Sequence, residues 1–228
     1  YMLKNLILTT SILGLLTANA LACTVDGSDG ILPENDMWIS ADAKGISNSN
    51  LDEVKFNEVI DNIVTVYEPI VRSLGGKLNV ERNWTDGTVN AYASRKGGKW
   101  NVAMFGGLAR HEKITPDGFA LVVCHEIGHH IGGAPKKSGW WSQWATNEGQ
   151  ADYFATMKCL RKSFRGEDHN AVLSKLEVPQ VVIDSCSEQF SGDEDRLICQ
   201  RGSMAGLSTA KLFQALRQQT TAPSFETP

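Results

Sequence analysis

Basic charge is in short supply in this sequence. Its 22 Lys and Arg are outnumbered by 26 Asp and Glu, for a formal net charge of −4. Nucleic-acid binding favours a basic patch, so nothing here points to a nucleic-acid partner. Long apolar runs are missing as well. The stretch from Leu6 to Leu16 is too short to span a bilayer as a permanent helix, and no multi-span membrane protein is indicated. Internal repeats, low-complexity segments and dividing linkers are absent too. What remains is ordinary: 42% hydrophobic and 21% charged residues, which argues against a disordered or fibrous chain. The 228 residues suffice for one domain with a sizeable core.

The first residues stand apart from that domain. Tyr1 precedes Met2, which is taken as the start. Lys4, the short apolar stretch and the small residues Ala20-Leu21-Ala22 have the three-part form of a secretory signal over residues 1–22. Its removal takes away Lys4 and no acid, so the charge moves from −4 to −5. An exported protein is therefore expected, periplasmic or outer-membrane-associated in a bacterium, or secreted. Five cysteines fit export but leave one over. Cys23 directly follows the cleavage signal and resembles the lipid-bearing Cys of a bacterial lipobox, although Ala20 stands where Leu is usual. A lipid there would bring the protein to a membrane; plain cleavage after Ala22 is the alternative. The other four are expected to pair as Cys186–Cys199, closing a short loop, and Cys124–Cys159, tying two helices together.

Residues 23–50, rich in Gly, Asp, Asn and Ser, read as an extended lead-in, with Asn50 as a candidate helix cap. Apolar residues then recur at helical spacing from Leu51 to Leu74, around Pro69, until Gly75-Gly76. Residues 77–84 alternate as a strand does, and Thr85-Asp86-Gly87 forms a turn. Residues 88–95 and 99–105 form a hairpin across Gly97-Gly98, ended by Gly106-Gly107. Thr115-Pro116-Asp117 opens a helix that runs to Gly132-Gly133: a cap, a proline at the first position, an acid in the first turn. A second helix covers roughly 146–164 and a last one 205–219, with a loose tail over 221–228. The fold class is α+β, with the main domain over 51–220.

The helix from Thr115 carries His125-Glu126-Ile127-Gly128-His129, an H-E-x-x-H pattern. Residues four apart share one helical face, so both imidazoles reach one zinc ion at about 2.0–2.1 Å. Glu126 is turned away by about 100° and is placed to take a proton from a water activated by the metal. The cofactor expected is therefore Zn2+, with Glu126 as general base. Two surface histidines on a helix would give the same letters, but here the helix is well capped and apolar on its other faces.

Such a site needs a third protein ligand. Only five histidines exist, and the position six after His129 is Pro135, which excludes the metzincin pattern. Glu148 lies 19 residues after His129, and Asp152 four after Glu148. On a helix the two acids share a face. Glu148 would ligate, and Asp152 would orient a ligand histidine, or the two roles are exchanged. Small Ala151 and Ala155 allow the second helix to approach the first. His130 is expected at the surface. His169, Tyr153 and Arg201 are weak candidates for oxyanion stabilisation. Trp140, Trp141 and Trp144 are expected to pack, in preference to lining a cleft or touching a membrane.

These residues resemble the gluzincin metallopeptidases, in particular the CAAX prenyl endopeptidase family and its soluble periplasmic relatives. The matching residues are Asn90-Ala91-Tyr92-Ala93, Gly97-Gly98, Gly107-Leu108, His125 to His129 and Glu148 to Asp152, within about 88–160. The resemblance implies a zincin-like domain with an active-site helix, an edge strand and a second metal-ligand helix, and Glu148 as the third ligand. It also implies endopeptidase activity on peptides or unfolded proteins, with the extended substrate paired along the edge strand at Asn90 and Ala91. The family's downstream His or Arg motif is not placed. Two alternatives stand beside this: a zinc hydrolase acting on cell-wall peptide or amide bonds, and a non-catalytic binding or chaperone-like module.

Overall fold

The computed structural model describes residues 30–32, 35–42, 51–138 and 143–226. The expected signal segment, Cys23, Asn50, Trp140 and Trp141 lie outside them. Asp52 opens the first helix, its carboxylate accepting from Lys55 N, and α1 runs Glu53–Ser73 through Pro69. Phe56, Ile60, Ile63, Tyr67 and Val71 fall on one face and are buried, as their three- and four-residue spacing requires. Gly75, at φ +81, turns the chain out of the helix.

Three strands follow: β1 (Lys77–Asn83), β2 (Ala91–Lys96) and β3 (Lys99–Phe105). The sheet order is β1-β3-β2, with β1 parallel and β2 antiparallel to β3. Gly97 and Gly98, both at positive φ, make the two-residue turn between β2 and β3. Gly106 and Gly107 do more than end the hairpin: they begin the short helix α2 (Gly106–Arg110). A Cβ on either would come within 2 Å of a backbone oxygen, 1.8 Å from that of Trp84 and 1.9 Å from that of Gly87.

Helix α3 (Pro116–Ile131) is the axis of the molecule. Thr115 Oγ1 accepts from Gly118 N at its start, and every residue from Asp117 to His130 is buried. A helix buried all round must be covered on all sides. Here β2 and β3, α1, α4 (Glu148–Phe154) and α8 (Asp193–Leu216) do so. The second helical run is continuous from Glu148 but changes character. A π-helical stretch spans Ala155–Leu160, and α5 (Arg161–Ser163) closes it. Then come α6 (His169–Leu173), α7 (Gln180–Gln189) and α8, which starts twelve residues before the expected 205. Both expected disulfides are present. Cys124–Cys159, with Cα atoms 5.6 Å apart, ties α3 to the π-helical stretch, and Cys186–Cys199 ties α7 to α8. No helix among the described residues is long and apolar enough to cross a membrane.

Candidate metal centre

Helix α3 buries His125, Glu126 and His129 to 2%, 1% and 3% exposure. The two imidazoles meet edge-on, their centroids 4.7 Å apart. The connection to α4 then folds back over them. Thr146 N donates to His129 O, Thr146 Oγ1 to Gly133 O, and Gln150 Nε2 to Gly132 O. Asn147 caps α4 by accepting from Gln150 N. This anchors Glu148, the first residue of α4, above the histidine pair.

The helices themselves touch closely. A Cβ on Gly128 would lie 3.1 Å from Ala151 O and 3.1 Å from Phe154 Cδ1. Small Ala151 was an expected part of that contact; Gly128 on the facing helix is its other half.

Glu148 Oε2 lies 3.1 Å from His125 Nε2 and 3.6 Å from His129 Nε2. The ligand atoms of His125, His129 and Glu148 all fall within 4.8 Å of one another, an arrangement that can hold a metal ion. The other ring nitrogens are already engaged. His125 Nδ1 is 2.8 Å from Asp152 Oδ1, and His129 Nδ1 is 2.8 Å from the Thr146 carbonyl. Both partners are acceptors, so each Nδ1 carries the hydrogen, and once His125 gives up its second proton both Nε2 atoms can present a lone pair to one point. The division of roles between the acids follows: Glu148 faces the centre and Asp152 supports a histidine.

Charge in the cluster fits a cation. Burial disfavours the charged form of His125, but hydrogen bonds to Asp152 and Glu148, with Glu126 nearby, outweigh it and raise the imidazole to about 10. His129, buried and beside His125, is pushed down to about 4. Burial raises Glu126 to about 7, with His125 pulling it down and Glu148 pushing it up. Glu148 is opposed by burial yet lowered by its contacts with the two histidines and Lys137. Three carboxylates thus surround two imidazoles, and in the ion-free chain a proton on His125 supplies the positive charge they require. Glu126 Oε1 is buried with no hydrogen-bond partner among the described residues, beside the convergent donors.

Lys137 was not foreseen. Its Nζ pairs with Glu148 Oε1 at 2.7 Å. Nothing in the local pattern marks this lysine; only the return of the chain to Thr146 brings it there.

Other expected residues lie elsewhere. His130 is not at the surface. It is 3% exposed, stacked between Trp100 and Trp144, and its Nε2 donates to Asn101 O. Trp144 therefore packs, as expected. Arg201 and His169 meet Asp117 and Glu167 at the opposite end of α3. Asp117 precedes His125 by eight residues, about 12 Å along the helix. Tyr153 is half exposed on a groove beside Tyr67 and Leu74. None of the three approaches the histidine pair through a described contact. Asn90 and Ala91 are buried against the lead-in: Leu32 N donates to Asn90 Oδ1 and Ile31 N to Ala91 O.

Comparison of the chain with protein families, with curated proteins and with solved structures finds no match.

Proposed function

We propose that this chain is a zinc-dependent endopeptidase of zincin type, acting on extended peptides or unfolded protein. One observation carries the proposal: two histidine Nε2 atoms and a carboxylate converge within 4.8 Å, with an unpartnered buried glutamate next to the first histidine. Two imidazoles and one carboxylate, with a fourth position left for water, are the donor set of catalytic zinc. The resemblance of the motifs to the CAAX prenyl endopeptidase family supports the same reading. The two disulfides support an oxidising, exported setting.

Zinc, when bound, supplies a Lewis acid that polarises the scissile carbonyl and acidifies a water. The chain supplies the rest. Asp152 and the Thr146 carbonyl hold the two rings in register. Glu126 accepts the proton of the attacking water and passes it to the departing amine. Its raised affinity for a proton suits both halves of that task. Edge strand β2 offers backbone groups for an extended substrate.

The test compares wild type with Glu126→Gln at equal zinc content, with casein as substrate. The variant is expected to lose roughly 10²–10⁴-fold in hydrolysis while binding zinc as before. Equal rates in the two proteins sink the mechanism.

A further inference from the structure

The lead-in does not hang free. Its described parts run antiparallel to residues 87–91. Ile31 N donates to Ala91 O at 3.0 Å, Asn35 Nδ2 to Val89 O, and Ile39 N to Gly87 O, with an antiparallel bridge between Trp38 and Thr88. At Leu32 the contact becomes specific. Asn90 Oδ1 accepts from Leu32 N at 3.1 Å, and Asn90 Nδ2 donates to Leu32 O at 3.2 Å. One side-chain amide thus reads both backbone groups of a single residue, while the Leu32 side chain is 1% exposed in the core. Gly30, at φ +60, lies so close that a Cβ would stand 2.3 Å from Asn90 Oδ1 and 2.4 Å from Ala91 O.

This happens on the free edge of the sheet. Backbone groups in an antiparallel pair point alternately toward and away from the partner strand. Ala91 O points away from β3, toward Ile31, and so by alternation do the groups of Ala93 and Arg95. The α3–α4 connection reaches the same strand at its hairpin end, where the Arg95 guanidinium sits 5.0 Å from the Trp144 ring, three residues before the cap of α4. A backbone held by its N–H and C=O, with a side chain sunk in a pocket, is the form of an extended peptide bound to a strand edge.

We propose that Gly30–Leu32 is a built-in competitor lying where substrate binds, and that the seat of Leu32 selects a bulky aliphatic residue. This rests on the peptidase reading, so the test separates the two. Binding is measured first in the zinc-loaded, full-chain Glu126→Gln protein, where no hydrolysis is needed. The probe is a fluorescent peptide with the sequence of residues 27–36. Gly30→Val dislodges the lead-in by collision with Asn90 and leaves Leu32 itself intact. It is expected to tighten probe binding at least about tenfold, because a site occupied most of the time by its own chain binds in proportion to its open fraction. A probe with Asp in place of its Leu is expected not to bind. In the catalytic background, Gly30→Val is expected to raise casein hydrolysis by a similar factor.

Equal probe binding with and without Gly30→Val overturns the proposal and leaves the peptidase reading standing. Tighter binding with no hydrolysis in any variant sinks the peptidase reading and leaves the occupancy. Should Gly30→Val fail to fold, amide exchange in the unmodified protein decides. Ile31 is expected to exchange at least about tenfold faster than Tyr92 or Ala103 inside the β2–β3 pair, as a displaceable segment must. Equal protection makes the lead-in a fixed strand.

Discussion

The two ends of helix α3 bury polar clusters of similar size that are built on different principles. At the N-terminal end, Arg201 places Nε and one terminal nitrogen on the two oxygens of Asp117. Its other terminal nitrogen reaches Glu167 and His169 Nδ1, and its face lies over Phe164. The cation and its acids answer one another, while His169 Nε2, 3.7 Å from Glu194 Oε1, is buried with no hydrogen-bond partner among the described residues. At the other end, the ligand atoms of His125, His129 and Glu148 converge within 4.8 Å, and Glu126 Oε1, next in sequence to His125, is buried with no hydrogen-bond partner among the described residues. A buried cation met by its counter-charges holds a fold; ligand atoms that converge on one point can hold a metal ion. Burial alone does not separate them, since Arg201 and His125 are both 2% exposed.

Paired substitutions sharpen that contrast. Arg201→Met leaves Asp117 buried and unpaired, which costs about 3–5 kcal/mol of stability in urea unfolding. Zinc binding by the folded fraction is expected to stay at the wild-type level. Glu148→Ala is expected to do the reverse, abolishing tight zinc binding with a stability loss in the metal-free protein well below that of Arg201→Met. Loss of zinc in Arg201→Met at a temperature where it is fully folded breaks the comparison, because the two clusters would then act as one.

The disulfides offer a second division. Cys124 adjoins His125, and its partner Cys159 lies on the helical run that begins with Glu148. Replacing both by Ala is expected to cost about 2–4 kcal/mol and also to weaken zinc, since it loosens one ligand helix from the other. Replacing Cys186 and Cys199 is expected to affect stability alone. Equal zinc affinity in the two double variants, read by competition with a chelator, removes the mechanical link. Smaller again is Asp152→Asn, which keeps the shape but weakens the support of His125. It is expected to reduce zinc affinity about 10–100-fold with unfolding unchanged, because the Asp152 side chain is 69% exposed.

What could be read in advance was what short-range chemistry decides. Helix α3 carries its own cap, proline and metal spacing, so its bounds and three of the site residues follow from sixteen neighbouring positions. Glu148 and Asp152 needed only one further helix, and both cysteine pairs followed from loop length and the same two helices. The misjudged parts depend on distant chain. His130 is polar and falls on another helical face from His125 and His129, so it looks exposed; it is buried because Trp100 and Trp144 arrive from a strand and a loop. Lys137 and Thr146 enter the site only because the connection closes on itself. The start of α8 was placed twelve residues late: Gly202 lowers helix propensity ahead of 205, yet it sits within a helix that tertiary packing sustains. The substrate role of Asn90 is what the family resemblance implies, and no local feature shows that Leu32 is its partner in the folded chain.

His111 gives the finest test, because it titrates at the self-contained end. It is 5% exposed, its Nδ1 accepting from Lys113 N. Burial lowers its pKa below the ordinary 6.5, Glu112 raising it in part and Lys113 lowering it further. The sign follows from proton counting. Below 6.5 the unfolded chain binds a proton that the folded chain refuses, so unfolding takes up protons and stability falls with pH. The contribution is complete above 6.5 and is lost progressively until the folded pKa is passed. His111→Gln removes this dependence. In chelated protein, His125 and His129 titrate alike in both chains and cancel in the difference. Between about pH 7.5 and about pH 5.5, wild type is therefore expected to lose more stability than the variant, in urea unfolding at each pH. Zinc affinity at the upper pH is expected to be the same in both. Parallel stability curves would show that His111 is as ready to ionise in the fold as outside it, and the N-terminal end would then be less tightly closed than its hydrogen bonds indicate.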